Sequence, residues 1–259
     1  MKNSFFIPFE NNITAIDIPN KFILLQQKKP HALCLLAAEQ LQNYLIHQTD
    51  WEHNFGINPN NTKNIIGKMF GVLVVKNDEN QIGFLAAFSG KLANTNNHPY
   101  FVPPVFDSLT KNSFLNQGME QLALIINEIN ALENETIPQN KQAIDLLKLK
   151  RKNHSQNLQN ELFNNYLFIN NLNESKNAHQ IYDAANYKYP PAGAGECATP
   201  KLLQHAFKNN LKPLAVAEFW WGLSPKSNYW KHKHYYACCK EKCEPILAHM
   251  LKGIEFEYQ

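Results

Sequence analysis

The chain reads as an α/β protein. It should form a layered sheet covered by helices, with a core order α-β-β-α-β-α and a helical-hairpin, coiled-coil-like insertion. Three observations predict this. Ile65–Val75 and Gln81–Ser89 are apolar at nearly every position and rich in β-branched and aromatic residues, as in strands covered on both faces. Residues 31–48 repeat apolar side chains at helical spacing. From about residue 113 a long Leu/Ile pattern interrupts the α/β alternation. The expected domains are therefore an α/β core of residues 1–110 plus 185–259 and a helical hairpin of residues 111–184.

Residues 1–29 read as an irregular or short-strand lead-in. After Pro30, the positions Leu33, Leu36, Ala37, Leu41, Tyr44 and Leu45 mark the buried face of a helix, and Cys34 sits among them as a small core residue. Asn58-Pro59-Asn60-Asn61-Thr62 marks a loop. The two strands follow, joined by the polar turn Lys76–Asn80, and Gly90–Pro104 is loop-like. Met119, Leu122, Ile125, Ile126, Ile129 and Leu132 form one helical stripe. Pro138 interrupts, and a second stripe runs through Ile144, Leu147, Leu158 and Leu162. The basic run Lys148–Lys152 fits a solvated helix face or a binding patch. Residues 172–188 have loop character with room for a short helix. Lys201–Asn209 is a helix, Pro213–Gly222 a strand and Ser224–Tyr236 a loop. A last helix spans Glu244–Leu251, with Pro245 in its first turn, where proline is tolerated.

At 259 residues with 44% hydrophobic and 18% charged residues, the chain can bury a core and is not a disordered sequence. No segment approaches the ~18 consecutive apolar residues of a membrane span. Met1–Glu10 has no apolar run of signal-peptide length, so a cytoplasmic protein without membrane attachment is expected. The net charge is +3, a weak bias, and Arg151 is the single arginine.

The five cysteines are Cys34, Cys197, Cys238, Cys239 and Cys243. Cys197 stands at one expected helix start, and Cys239 and Cys243 stand at another, where helix dipoles favour thiolates. Cys239 and Cys243 are four apart and share a face. Three thiolates suit zinc, which leaves one position open for water; buried reduced thiols packing between helices are the alternative. Gly193-Ala194-Gly195 reads as a tight turn or as a weak anion cradle, since a full glycine-rich phosphate motif is missing.

The stretch Pro225–Tyr236 alternates charge with rings. Lys226, Lys231 and Lys233 can contact phosphates, and Tyr229, Trp230 and Tyr235 can stack on unpaired bases, so RNA is the expected partner. From Lys226 to Lys252, six lysines face Glu241 and Glu244, a surplus of six minus two, or +4. A plain solvated connection is the other reading.

Two resemblances follow. The helix-start cysteines with a strand between them resemble the zinc-dependent cytidine-deaminase fold, which implies zinc held by Cys197, Cys239 and Cys243. That fold carries a Glu two residues after its first ligand; here the residue is Thr199. Its cysteine pair is C-x-x-C; here it is Cys239-Lys240-Glu241-Lys242-Cys243. Glu196 and Glu218 are nearby acids. Separately, Pro190–Gln204, Lys212–Gly222 with Ser224–Ser227, Cys239–Leu251, Ile66–Val75 and Gly83–Gly90 resemble segments that long bacterial RluA-type RNA pseudouridine synthases carry before their catalytic domain. That resemblance implies an RNA-associated accessory module, partnered by a synthase catalytic domain. The family's His-Arg-Leu-Asp motif, with its essential Asp, does not occur here, so no catalysis of that kind is expected of this chain. A zinc-dependent nucleobase deaminase and a protein-interaction scaffold are the alternatives.

Overall fold

Strand β3 (Lys68–Lys76) lies at the centre of the sheet, and its sequence explains why. Phe70, Val72 and Val74 point to one face, and Gly71, Leu73 and Val75 to the other. All six are buried, so both faces must be covered. A computed structural model describes residues 5–25, 29–58, 63–135, 137 and 140–259. Pro59–Thr62 of the expected loop and Pro138 lie outside the described residues.

The elements before β3 are β1 (Ile7–Pro8), β2 (Phe22–Leu24) and α1 (Ala32–His47). After it come β4 (Ile82–Phe88), α2 (Phe114–Asn134), α3 (Asn140–Asn165), β5 (Leu167–Ile169), β6 (Ser175–Asn177) and α4 (Ala178–Ala184). The chain continues with α5 (Ala198–Lys208), β7 (Lys212–Trp221), β8 (Tyr235–Tyr236), α6 (Glu244–Met250) and β9 (Phe256–Tyr258). The protein is thus mixed α/β, with a seven-stranded sheet in the order β1-β4-β3-β7-β2-β9 and β8 paired to β7. β3 runs antiparallel to both β4 and β7, whereas β2 is parallel to β7 and to β9.

Two compact units divide the chain, Met1–Val105 with Leu167–Gln259 and Phe106–Tyr166. The sequence boundary at residue 184 put β5, β6 and α4 with the helical segment; they group with the sheet unit instead. β5 is the reason: Gln204 of α5 bonds the backbone of Ile169 and Leu167 at 3.0 and 2.8 Å.

In the second unit, α2 and α3 pack antiparallel. His154 Nε2 donates to Gly118 O at 3.0 Å, and Lys148 Nζ meets Glu133 Oε1 at 2.8 Å. Gly118 has no side chain, and Leu158 fills that space.

In the sheet unit, α1 covers one face. Leu33, Cys34, Ala37, Leu41 and Leu45 pack with Phe70, Phe84, Phe88, Phe219 and Trp221. Helix α5 covers the opposite face, with α6 beside it. Gly71 makes room there, since a Cβ on it would stand 2.9 Å from Ala198 Cβ. This close approach brings the start of α5 down onto the strands.

His205, on α5, gives the fold a pH dependence. Burial, then Lys208, push its pKa from 6.5 down to about 4. The unfolded chain takes up the proton first, so stability should fall as pH drops from 6.5 towards 4 and level off below that. Urea midpoints across this range should show the loss, and His205→Gln should reduce it.

Candidate metal centre

The approach to α5 is set by chain chemistry. Gly193 and Gly195 adopt φ of 77° and 89°, a region closed to most side chains. The turn uses its own amides: Ala194 N donates to Pro191 O at 3.0 Å and Glu196 N to Gly193 O at 3.3 Å. Gly193–Gly195 therefore forms a tight turn, and Cys197 is left as the N-cap of α5 with no side-chain cap bond of its own. Its sulfur is free for another task.

The second thiol pair is presented by a turn rather than by a helix. The last helix, expected over Glu244–Leu251 with Cys239 and Cys243 at its start, is α6 from Glu244 to Met250; Cys243 is its N-cap and Cys239 lies in the turn before it. Pro245 at the helix start explains this, because it lacks the N–H needed further in. The turn is nonetheless helix-like, with Cys243 N donating to Cys239 O at 3.1 Å. Tyr182 of α4 braces it by donating its hydroxyl to Lys242 O at 2.7 Å.

The sulfurs of Cys197, Cys239 and Cys243 all lie within 4.8 Å of one another. Those of Cys239 and Cys243 are 3.4 Å apart. Tetrahedral zinc with ~2.3 Å bonds holds its sulfur ligands ~3.8 Å apart, a spacing between the 3.4 Å of the Cys239–Cys243 pair and the 4.8 Å that bounds all three. Hydrogen bonding with Cys197, then with Cys243, draws the Cys239 thiol well below its ordinary range. The bond with Cys239, then burial, pushes Cys197 up against an opposing bond with Cys243, and the bonds with Cys197 and then Cys239 push Cys243 up.

A carboxylate stands beside it. On β7, Val216, Glu218 and Trp220 alternate onto the α5 face, and Glu218 sits opposite the side-chain-free Gly71. Glu218 is 5% exposed. Its Oε1 accepts from Thr199 N at 2.9 Å and from Thr199 Oγ1 at 2.8 Å. Cys238 Sγ donates to the same Thr199 hydroxyl at 3.4 Å. Burial raises the Glu218 pKa, and the two Thr199 bonds partly oppose this. Cys197, Cys239, Cys243 and Glu218 line one cavity of about 550 Å³, walled by Met69, Trp220 and Trp230 and edged by Lys240 and Lys242.

The residues expected to bind RNA do not stay together. Trp230 stacks on Trp220, with ring centroids 5.2 Å apart at 20°, and Tyr229 meets Trp230 edge-on at 4.8 Å. Tyr236, which sequence reasoning left out, anchors this group: its hydroxyl donates to Tyr229 O at 2.8 Å and accepts from Lys231 N at 2.7 Å. Tyr235, one residue earlier, points through the sheet and packs against the α1-side core. Lys233 lies with its Nζ 5.7 Å from the Trp221 ring, also on that side. Lys226 and Lys231 are exposed.

Glu218 is expected on the Pro213–Gly222 strand as one of two nearby acids, and its pairing with Thr199 is not legible in the sequence. The available signal was its period-two position in an otherwise apolar strand. No helix among the described residues is long and apolar enough to cross a membrane. The chain matches no family model, no curated protein and no solved structure.

Proposed function

We propose that Cys197, Cys239 and Cys243 hold a zinc ion and that the chain is an RNA-associated hydrolase of the nucleobase-deaminase kind. In this reading the sheet unit is a deaminase-like core and the α2–α3 pair is a helical-hairpin insertion. One observation carries the proposal: the three sulfurs and the buried carboxyl of Glu218 open onto the same cavity.

Zinc held by Cys197, Cys239 and Cys243 would supply Lewis-acid activation of water. The chain's own groups do the rest. Thr199 occupies the position where the deaminase pattern has its acid, and it holds Glu218 Oε1 through two hydrogen bonds. The strand thereby delivers a carboxyl to the place the helix leaves without one. Glu218 takes a proton from water and passes it to the exocyclic amine. The carbon–nitrogen bond breaks as a carbon–oxygen bond forms, so amine and water become carbonyl and ammonia. Trp230 and Trp220 wall the cavity for a flat base, and Lys240 and Lys242 at its edge suit flanking phosphates.

A second reading keeps the zinc but not the catalysis: an accessory module that brings RNA to a pseudouridine synthase catalytic domain. The sequence segments quoted above and the alternation of lysines with rings in Pro225–Tyr236 favour it. Both readings need RNA contact. Lys231→Glu with Lys233→Glu should weaken binding of single-stranded RNA and flatten its salt dependence. Unchanged affinity would remove the loop from both.

The deciding experiment is metal analysis of the purified protein together with ammonia release from single-stranded oligonucleotides. One zinc per chain with ammonia release supports the hydrolase, whereas zinc without release supports the accessory module. Absence of zinc from protein purified under reducing conditions would overturn both.

A further inference from the structure

Lys201 is the least expected side chain in the sheet unit. It is a lysine only 2% exposed, in the second turn of α5. A buried ammonium is costly unless something charged or strongly polar meets it. Its visible partners are modest. Nζ donates to Phe88 O at 3.0 Å and to Gly90 O at 3.2 Å, and it lies 5.1 Å from the centroid of the Phe88 ring. Its ion pair with Glu196 is loose, at 3.7 Å, and that carboxylate is itself 24% exposed. Glu196 is also shared, because it acts on the half-buried Lys68.

The local charges do not cancel. Lys68 and Lys201 carry two positive charges against the single negative charge of Glu196, which leaves one positive charge. A zinc ion held by three thiolates is two positive against three negative, which leaves one negative charge. Cys197 and Lys201 are four residues apart, so they share a face of α5. Long side chains on a helix lean towards its N-terminus, which is the Cys197 end.

We propose that Lys201 is a positioning residue for the metal centre, supplying the buried positive charge that balances the anionic zinc–trithiolate group. This rests on the zinc reading above. Its two carbonyl bonds tie the end of β4 to α5 and hold the ammonium in place. The charge then raises the affinity for zinc. Outer partners of this kind typically change metal affinity ~10–100-fold.

Three variants separate charge from packing. Lys201→Arg keeps the charge, Lys201→Gln keeps a donor without charge, and Lys201→Met keeps neither. Zinc affinity is read by competition with a chromophoric chelator, and each fold by circular dichroism of the metal-free protein. The expected result is near wild-type affinity for Lys201→Arg and a ~10–100-fold loss for both neutral variants. Wild-type affinity in Lys201→Gln would overturn the inference, reducing Lys201 to a hydrogen-bond donor. So would equal losses in Lys201→Arg and Lys201→Gln. If neutral variants fail to fold, the Arg variant carries the test; an affinity lost with Arg would count against a charge role. A wild-type protein with no zinc affinity would instead defeat the zinc reading itself.

Discussion

Glu218→Gln is expected to lower ammonia release ~10²–10⁴-fold, the range a positioned proton carrier contributes, while zinc content stays at the wild-type value. The amide matches the carboxylate in shape and keeps an oxygen to accept from Thr199 N and Oγ1. The thiols that would hold the ion are untouched. Stability should not suffer at neutral pH either. Burial raises the Glu218 pKa, so its charged form is disfavoured in the folded chain, and stability is lost as pH rises above the unfolded value of 4.5. The Gln variant lacks that loss. Steady-state kinetics, zinc analysis and thermal melting on the same samples check all three parts. Undiminished release would remove Glu218 from the chemistry, and lost zinc would make it part of the metal shell.

Cys243→Ala is expected to empty the centre. Cys243 is 1% exposed and ends the turn that carries Cys239, so the substitution removes one of the three proposed ligands while the backbone bonds of the turn stay in place. Zinc affinity should drop by more than the ~10–100-fold that an outer partner commands. Binding energy of a structural ion is also folding energy, so the melting temperature should fall in zinc-loaded samples. Added chelator should lower the wild type towards the variant and leave the variant unmoved. Cys34→Ala is the matching control, because Cys34 packs in the α1-side core, across the sheet from the three thiols. A Cys243→Ala protein that retains a full equivalent of zinc would refute the three-thiolate site.

Local signals account for much of what could be read before the structure. The strands around the Lys76–Asn80 turn follow from runs of β-branched and aromatic residues, and α1 from apolar spacing. The short strands β5, β6, β8 and β9 were not placed, and β1 and β2 were expected only as an irregular or short-strand lead-in, since two or three residues carry no period. They exist because neighbours offer unpaired backbone: β2 fills the edge of β7, and β9 then adds to β2. The RNA-binding set shows the same limit within one strand. Tyr235 and Tyr236 look alike in sequence, yet alternation across β8 sends them to opposite faces.

By itself the sequence determined the residue types: thiols at two helix starts, glycines that allow the turn before Cys197, and a threonine where an acid was looked for. These are local facts, set by dihedral freedom, capping and spacing. Only the tertiary structure decided which groups meet. Cys197 and Cys243 are brought together by α5 and α6 lying on one face of the sheet, and Glu218 reaches Thr199 because β7 pairs with β3 in the register that sets it opposite Gly71. Contacts between residues distant in the chain depend on strand register and helix packing, which no local pattern encodes.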